Sequence, residues 1–116
     1  MGGNPIVSKS YAFALRIINM QKYLTDVKRE YVLSKQILRS GTSIGANVVE
    51  AQRAQSRADF HAKMSIAQKE ASETEYWINL LSDAKYINDA EFESIMRDLR
   101  ELLALLAVIC KNSRTT

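Results

Sequence analysis

Leu38-Arg39-Ser40-Gly41-Thr42-Ser43-Ile44-Gly45-Ala46-Asn47-Val48-Val49-Glu50-Ala51 is the stretch on which the fold turns. Ile37, Gly41, Ile44, Val48 and Ala51 recur at alternating four- and three-residue steps, the spacing that lines one face of a helix. Glycine inside a helix costs roughly 1 kcal/mol relative to alanine, so Gly41 and Gly45 together cost about 2. A second helix packed too closely to admit a Cβ offsets that cost. The stretch therefore predicts a helix from about Tyr31 to Gln55, pressed against a neighbour along its glycine edge.

Three further helices flank it. Asn4 as cap and Pro5 at the first helical position open a helix that runs to about Leu24. Its apolar residues form two stripes, one of Val7, Tyr11, Ala14 and Ile18 and one of Ile6, Phe13, Ile17, Met20 and Leu24. Residues Thr25 to Glu30 form a charged connection. Ser56 caps a third helix over about 57–85, with Asp59 near its positive end. Phe60, Met64, Ala67, Ala71, Thr74, Ile78 and Leu81 give that helix a packing seam. Asn88 with Glu91 caps a fourth helix over about 89–111, through Phe92, Ile95, Leu99, Leu102, Leu106 and Ile109. No segment alternates with period two over a strand's length. The pattern predicts an all-α chain, an antiparallel up-down-up-down four-helix bundle in a single domain over residues 4–113.

Composition narrows the class. A chain of 116 residues, 47% apolar and 25% charged, builds a soluble domain whose core needs neither disulfide nor metal. Cys110 stands alone, which rules out an internal disulfide and fits a reducing cytosol. The longest apolar run, Leu102 to Cys110, is nine residues, half of what a membrane span needs, so no membrane partner is expected. Met1-Gly2-Gly3 reads as an expression remnant. The first and fourth helices carry more apolar surface than one core requires, which predicts that the chain binds copies of itself.

Enzyme chemistry finds no foothold. Di-metal bundles need Glu-x-x-His pairs. His61 is the only histidine, and Ala58 stands three residues before it. Ser40, Thr42 and Ser43 lie on a helix with no spare histidine to activate them. Gly41 to Gly45 lacks the spacing and closing lysine of a phosphate loop. Glu70, Glu73 and Glu75 read as solvated charges that pair with Lys63 and Lys69. No catalytic residue, metal or cofactor is expected.

Ser43, Asn47 and Glu50 share one face of the second helix, beside the glycine edge. Polar groups near a packed face need partners, because an unpaired one costs about 1–3 kcal/mol. Lys69, Glu73 and Thr74 are the expected partners, in a network that fixes helix register. This region also carries a resemblance. Gln36 through Ala51, then Asp59-Phe60-x-x-Lys63, then Lys69-Glu70-Ala71-x-Glu73-Thr74-x-Tyr76-Trp77, closely resembles the family of small four-helix-bundle proteins encoded in 23S rRNA intervening sequences. Relatives of that family include the accessory variability protein of diversity-generating retroelements. The resemblance implies assembly into a pentameric barrel and nucleic-acid binding. For the retroelement relatives it also implies contact with a reverse transcriptase.

Charge suggests where a nucleic acid would sit. The net charge is +3, but residues 1–69 carry 11 Lys/Arg against 4 Asp/Glu, while residues 70–116 carry 5 against 9. Arg39, Arg53, Arg57 and Lys63 straddle the corner between the second and third helices and are the candidate contacts to rRNA or another structured nucleic acid. Arg16, Lys22, Lys28, Arg29 and Lys35 form a second basic group. The alternative function is a structural adaptor that binds a basic protein through acidic helix four, with Asp89, Glu91, Glu93, Asp98 and Glu101.

Overall fold

A computed structural model describes residues 4–114 of the chain, so Met1-Gly2-Gly3, expected from the sequence to be a remnant, lies outside the described residues. Four helices and, among the described residues, no strands make up the molecule. They are α1 (Pro5–Asp26), α2 (Leu33–Ala51), α3 (Arg57–Asp83) and α4 (Asp89–Asn112).

Side-chain pairs give the topology. Gly45 faces Ser10 and Gly41 faces Ile17, so α2 runs against α1. Arg39 reaches Glu70 while Glu50 reaches Lys63, so α3 runs against α2. His61 meets Ser113 and Ser65 meets Cys110, and α4 is likewise antiparallel to α3. Lys9 pairs with Glu101 and Arg16 with Asp98, closing α4 back onto α1. The four helices therefore alternate in direction around one core.

Local chemistry starts and stops them. Ser56 Oγ accepts the Asp59 N–H at 3.0 Å. Asn88 and Glu91 form a reciprocal capping box, at 2.8 and 2.9 Å. Asn4 departs from expectation: its side chain makes no cap and instead donates to Gln52 Oε1 at 3.1 Å, tying the two chain segments together. α3 stops at Asp83 because Lys85 turns left-handed at φ 70°. The Tyr86 N–H then returns to the Leu81 carbonyl and the Lys85 N–H to that of Ser82, a Schellman closure built without glycine.

α2 is shorter than its apolar pattern predicts. Arg29 is also left-handed, at φ 55°, and Glu30 folds under the helix start. The Glu30 carboxylate accepts the N–H groups of Val32, Leu33 and Ser34 at 3.1, 2.9 and 2.7 Å, which caps a helix beginning at Leu33 rather than Tyr31. At the other end Arg53 and Ala54 bond back only three residues, to Glu50 and Ala51, which tightens the chain into the turn before α3.

The glycine edge of α2 is a close approach. A Cβ on Gly41 would lie 2.7 Å from Ile17 Cγ1, and one on Gly45 would lie 3.3 Å from the Ser10 carbonyl oxygen. The two stripes of α1 separate accordingly. Ile6, Phe13, Ile17 and Leu24 enter the core, whereas Tyr11 is 55% exposed. The apolar run of α4 divides the same way: Leu102, Leu106 and Cys110 are buried while Ala104, Ala107 and Val108 face outward.

Candidate nucleic-acid interface

The candidate interface is the end of the bundle where the α2–α3 turn meets the last turn of α4. Arg53 lies exposed in that turn and makes no ion pair among the described residues. Arg57 opens α3, and its guanidinium donates to the Asn112 carbonyl at 2.6 Å and the Ser113 carbonyl at 3.4 Å. A cation on the last carbonyls of α4 complements the negative end of that helix. Lys63 lies 3.5 Å from the Glu50 carboxylate, a pair open to solvent.

Because Arg57 bonds the carbonyls of Asn112 and Ser113, the residues that flank them in sequence, Lys111 and Arg114, belong to the same end of the bundle. Sequence reasoning missed both, since more than 45 residues separate them from the corner they join. The end thus gathers Arg53, Arg57, Lys63, Lys111 and Arg114, with Glu50 and Asp59 as the nearby carboxylates on α2 and α3. His61 sits below this surface. Its Nδ1 is 2.7 Å from Ser113 Oγ and its Nε2 is 3.4 Å from Ser65 Oγ. Ser65 in turn reaches Cys110 Sγ at 4.0 Å. Burial pushes the Cys110 thiol above its ordinary range, which keeps it protonated.

Arg39 does not join the others. It lies 12 residues before the end of α2, about 18 Å away at the helical rise of 1.5 Å per residue. Its guanidinium is held by Glu70 at 3.1 Å and by Glu73, and Glu73 also accepts the Trp77 indole N–H at 3.0 Å. Two carboxylates neutralise it, so it has no charge to spare for phosphate.

The expected polar network is rearranged as well. Ser43 Oγ donates to the Arg39 carbonyl at 2.6 Å, and Asn47 Nδ2 to the Ser43 carbonyl at 2.9 Å, so both bond back along their own helix. Lys69 is exposed and forms no ion pair among the described residues. α2 and α3 are instead linked by the Arg39–Glu70–Glu73 cluster, by Glu50–Lys63, and by the buried Ser40 and Thr74 hydroxyls at 2.9 Å. Ser40 was legible: its position three residues after Ile37 and four before Ile44 places it on the core face.

The remaining charges sort in the same manner. Arg16 leaves the second basic group, since it donates to Asp98 and to the Ser94 carbonyl and hydroxyl. Asp98 and Glu101 turn toward α1, and Glu91 closes the capping box, so much of the acidic side of α4 is used within the molecule. Among the described residues no three His, Cys, Asp or Glu side chains gather as a metal site, and no helix is long and apolar enough to cross a membrane.

Comparison with known proteins matches this architecture. No curated protein matches the chain. A solved structure of a protein with unknown function from the S23 ribosomal protein family of Bacteroides thetaiotaomicron VPI-5482 is similar at 55% identity and a TM-score of 0.90. The match covers 91% of this chain and 98% of that one. The model of the 23S rRNA-intervening sequence protein family matches residues 4–108. The chain belongs to the 23S rRNA-intervening sequence protein family.

Proposed function

We infer that the protein is a non-enzymatic binder of structured RNA or DNA, acting on the phosphate backbone through the end of the bundle that carries Arg53, Arg57, Lys63, Lys111 and Arg114. The observation that carries this reading is the convergence there of cations from three separate segments, with Arg53, Lys111 and Arg114 free of ion pairs among the described residues. Phosphate contacts of this type supply affinity without reading sequence.

Self-association, with a pentameric ring as the form the resemblance implies, would repeat this end in each copy and multiply a modest charge of +3 per chain. The outer stripe of α1, with Tyr11 exposed and Val7, Ala14 and Ile18 half-buried, supports it. The test is fluorescence anisotropy of a labelled, structured rRNA fragment from low to physiological salt. Saturable binding that weakens log-linearly with salt is the expected result, and no binding even at low salt would exclude this function.

A further inference from the structure

Where α1 meets the α3–α4 turn the bundle is incompletely closed. α1 and α4 touch less than any other neighbouring pair, and a cleft of about 490 Å³ opens between them. It shares Tyr23, Ile87 and Glu91 with a second cleft of about 330 Å³ at the end of the molecule. Met20, Ile87, Ala90 and Ile95 give the inner part apolar walls. The outer part is framed by the tyrosines Tyr23 and Tyr86 and by Lys28 and Lys85. Lys28 Nζ stands 5.8 Å from the centre of the Tyr23 ring.

The polar side chains around the cleft fall into two groups. Arg16 is bound to Ser94 and Asp98, and Glu91 caps the Asn88 N–H, so their hydrogen-bonding capacity is turned into the protein. Asn19, Tyr86 and Lys85 lack side-chain hydrogen bonds and ion pairs among the described residues, as does the Tyr23 hydroxyl. Asp89, on the first turn of α4, lies beside the two lysines. An apolar recess of this size with a few unengaged polar groups at its mouth is the general form of a small-molecule site.

We propose that this cleft binds a planar aromatic compound bearing an anionic group, of which a nucleoside monophosphate is the model, with the ring against Met20 and Ile87 and the anion at Lys28 and Lys85. Met20 suits an aromatic face because its thioether is polarizable and its side chain adapts to the ring. The site lies at the opposite end of a bundle 45 Å long from the basic end. It is therefore independent of phosphate-backbone binding there.

The test is an NMR titration of the full chain, labelled at the methionine methyls and tyrosine rings. The probes are adenosine monophosphate, adenosine and inorganic phosphate, each taken to about 10 mM, a ceiling suited to ligands of millimolar affinity. Adenosine monophosphate is expected to shift Met20 and Tyr23 saturably, adenosine to bind about fivefold more weakly, and phosphate to leave Met20 unmoved. Ala90→Trp fills the cleft from an exposed position, so the fold survives, as an unchanged melting curve will show. It is expected to weaken the nucleotide at least about tenfold. The combined Lys28→Ala and Lys85→Ala variant should reduce the nucleotide to the affinity of adenosine. Silence at Met20 throughout the titration, or binding indifferent to Ala90→Trp, would overturn the proposal. Shifts confined to Met64, the labelled methionine that follows Lys63 on α3, would also overturn it, while supporting the phosphate reading of the other end.

Discussion

Gly41 and Ile17 meet so closely that a Cβ on the glycine would stand 2.7 Å from Cγ1 and 2.8 Å from Cγ2 of the isoleucine. The contact joins the backbone of α2 to a fully buried, β-branched side chain of α1, whose χ1 is stiff. Ile17 cannot swing away, so α1 would have to retreat.

Gly41→Ala is therefore expected to destabilise the fold by about 1–3 kcal/mol through overpacking, despite the roughly 1 kcal/mol that alanine returns in helix propensity. Gly45→Leu, aimed at the Ser10 backbone, should cost several kcal/mol by the same mechanism. Urea denaturation measures both, and a Gly41→Ala protein as stable as the parent would show that the helices have room to part.

At the basic end, Arg53→Ala and Lys111→Ala should each flatten the salt dependence of RNA binding by about 0.9 on a duplex, or 0.7 on a single strand, for every phosphate that the variant no longer neutralises. Arg39→Ala should leave that slope unchanged, because Glu70 and Glu73 already hold its charge. Its cost falls on stability, about 1–3 kcal/mol, because the Glu70 and Glu73 side chains, only 12% and 31% exposed, lose their cationic partner. Equal flattening of the slope by all three variants would contradict this separation.

Glu30 gives a pH signature. Burial pushes its carboxyl upward, but the backbone N–H groups of Leu33, Ser34 and Val32 outweigh burial and hold it below the ordinary glutamate range. A depressed folded-state value means that its stabilisation is complete above the unfolded value of about 4.3 and disappears as pH falls through the folded one. Glu30→Gln should thus be less stable than the parent at pH 6, and the gap should narrow toward pH 3. Glu30→Ala, which leaves all three donors uncapped, should cost about 1–3 kcal/mol at neutral pH.

Tyr11 tests self-association. It is exposed beside Val7, Ala14 and Val49, which line an apolar groove of about 410 Å³ between α1 and α2. The parent chain is expected to sediment as a multiple of its 13.1 kDa mass, and Tyr11→Asp to shift it toward the monomer. A parent that sediments as a monomer at all concentrations would leave the groove as ordinary surface.

Different parts of the molecule were legible to different degrees. The seams of α2 and α3, the caps at Ser56 and Asn88, and the crowded glycine edge follow from spacings of three and four residues. The end of α3 and the start of α2 escaped because Lys85 and Arg29, beside them, take a left-handed conformation usually reserved for glycine. The capping role of Glu30 escaped because a side chain that folds back under its own helix leaves no periodic trace.

Helix identity and direction were thus written locally, in apolar periodicity and in caps that reach no farther than one turn. The disposition of charge was not. Arg39 is neutralised by carboxylates 31 and 34 residues away, and Arg57 caps carbonyls 55 and 56 residues away. Which cations are consumed and which stay free depends on how the helices are set side by side. Coulombic and hydrogen-bond energies act over a few ångströms in space, without regard to distance along the chain.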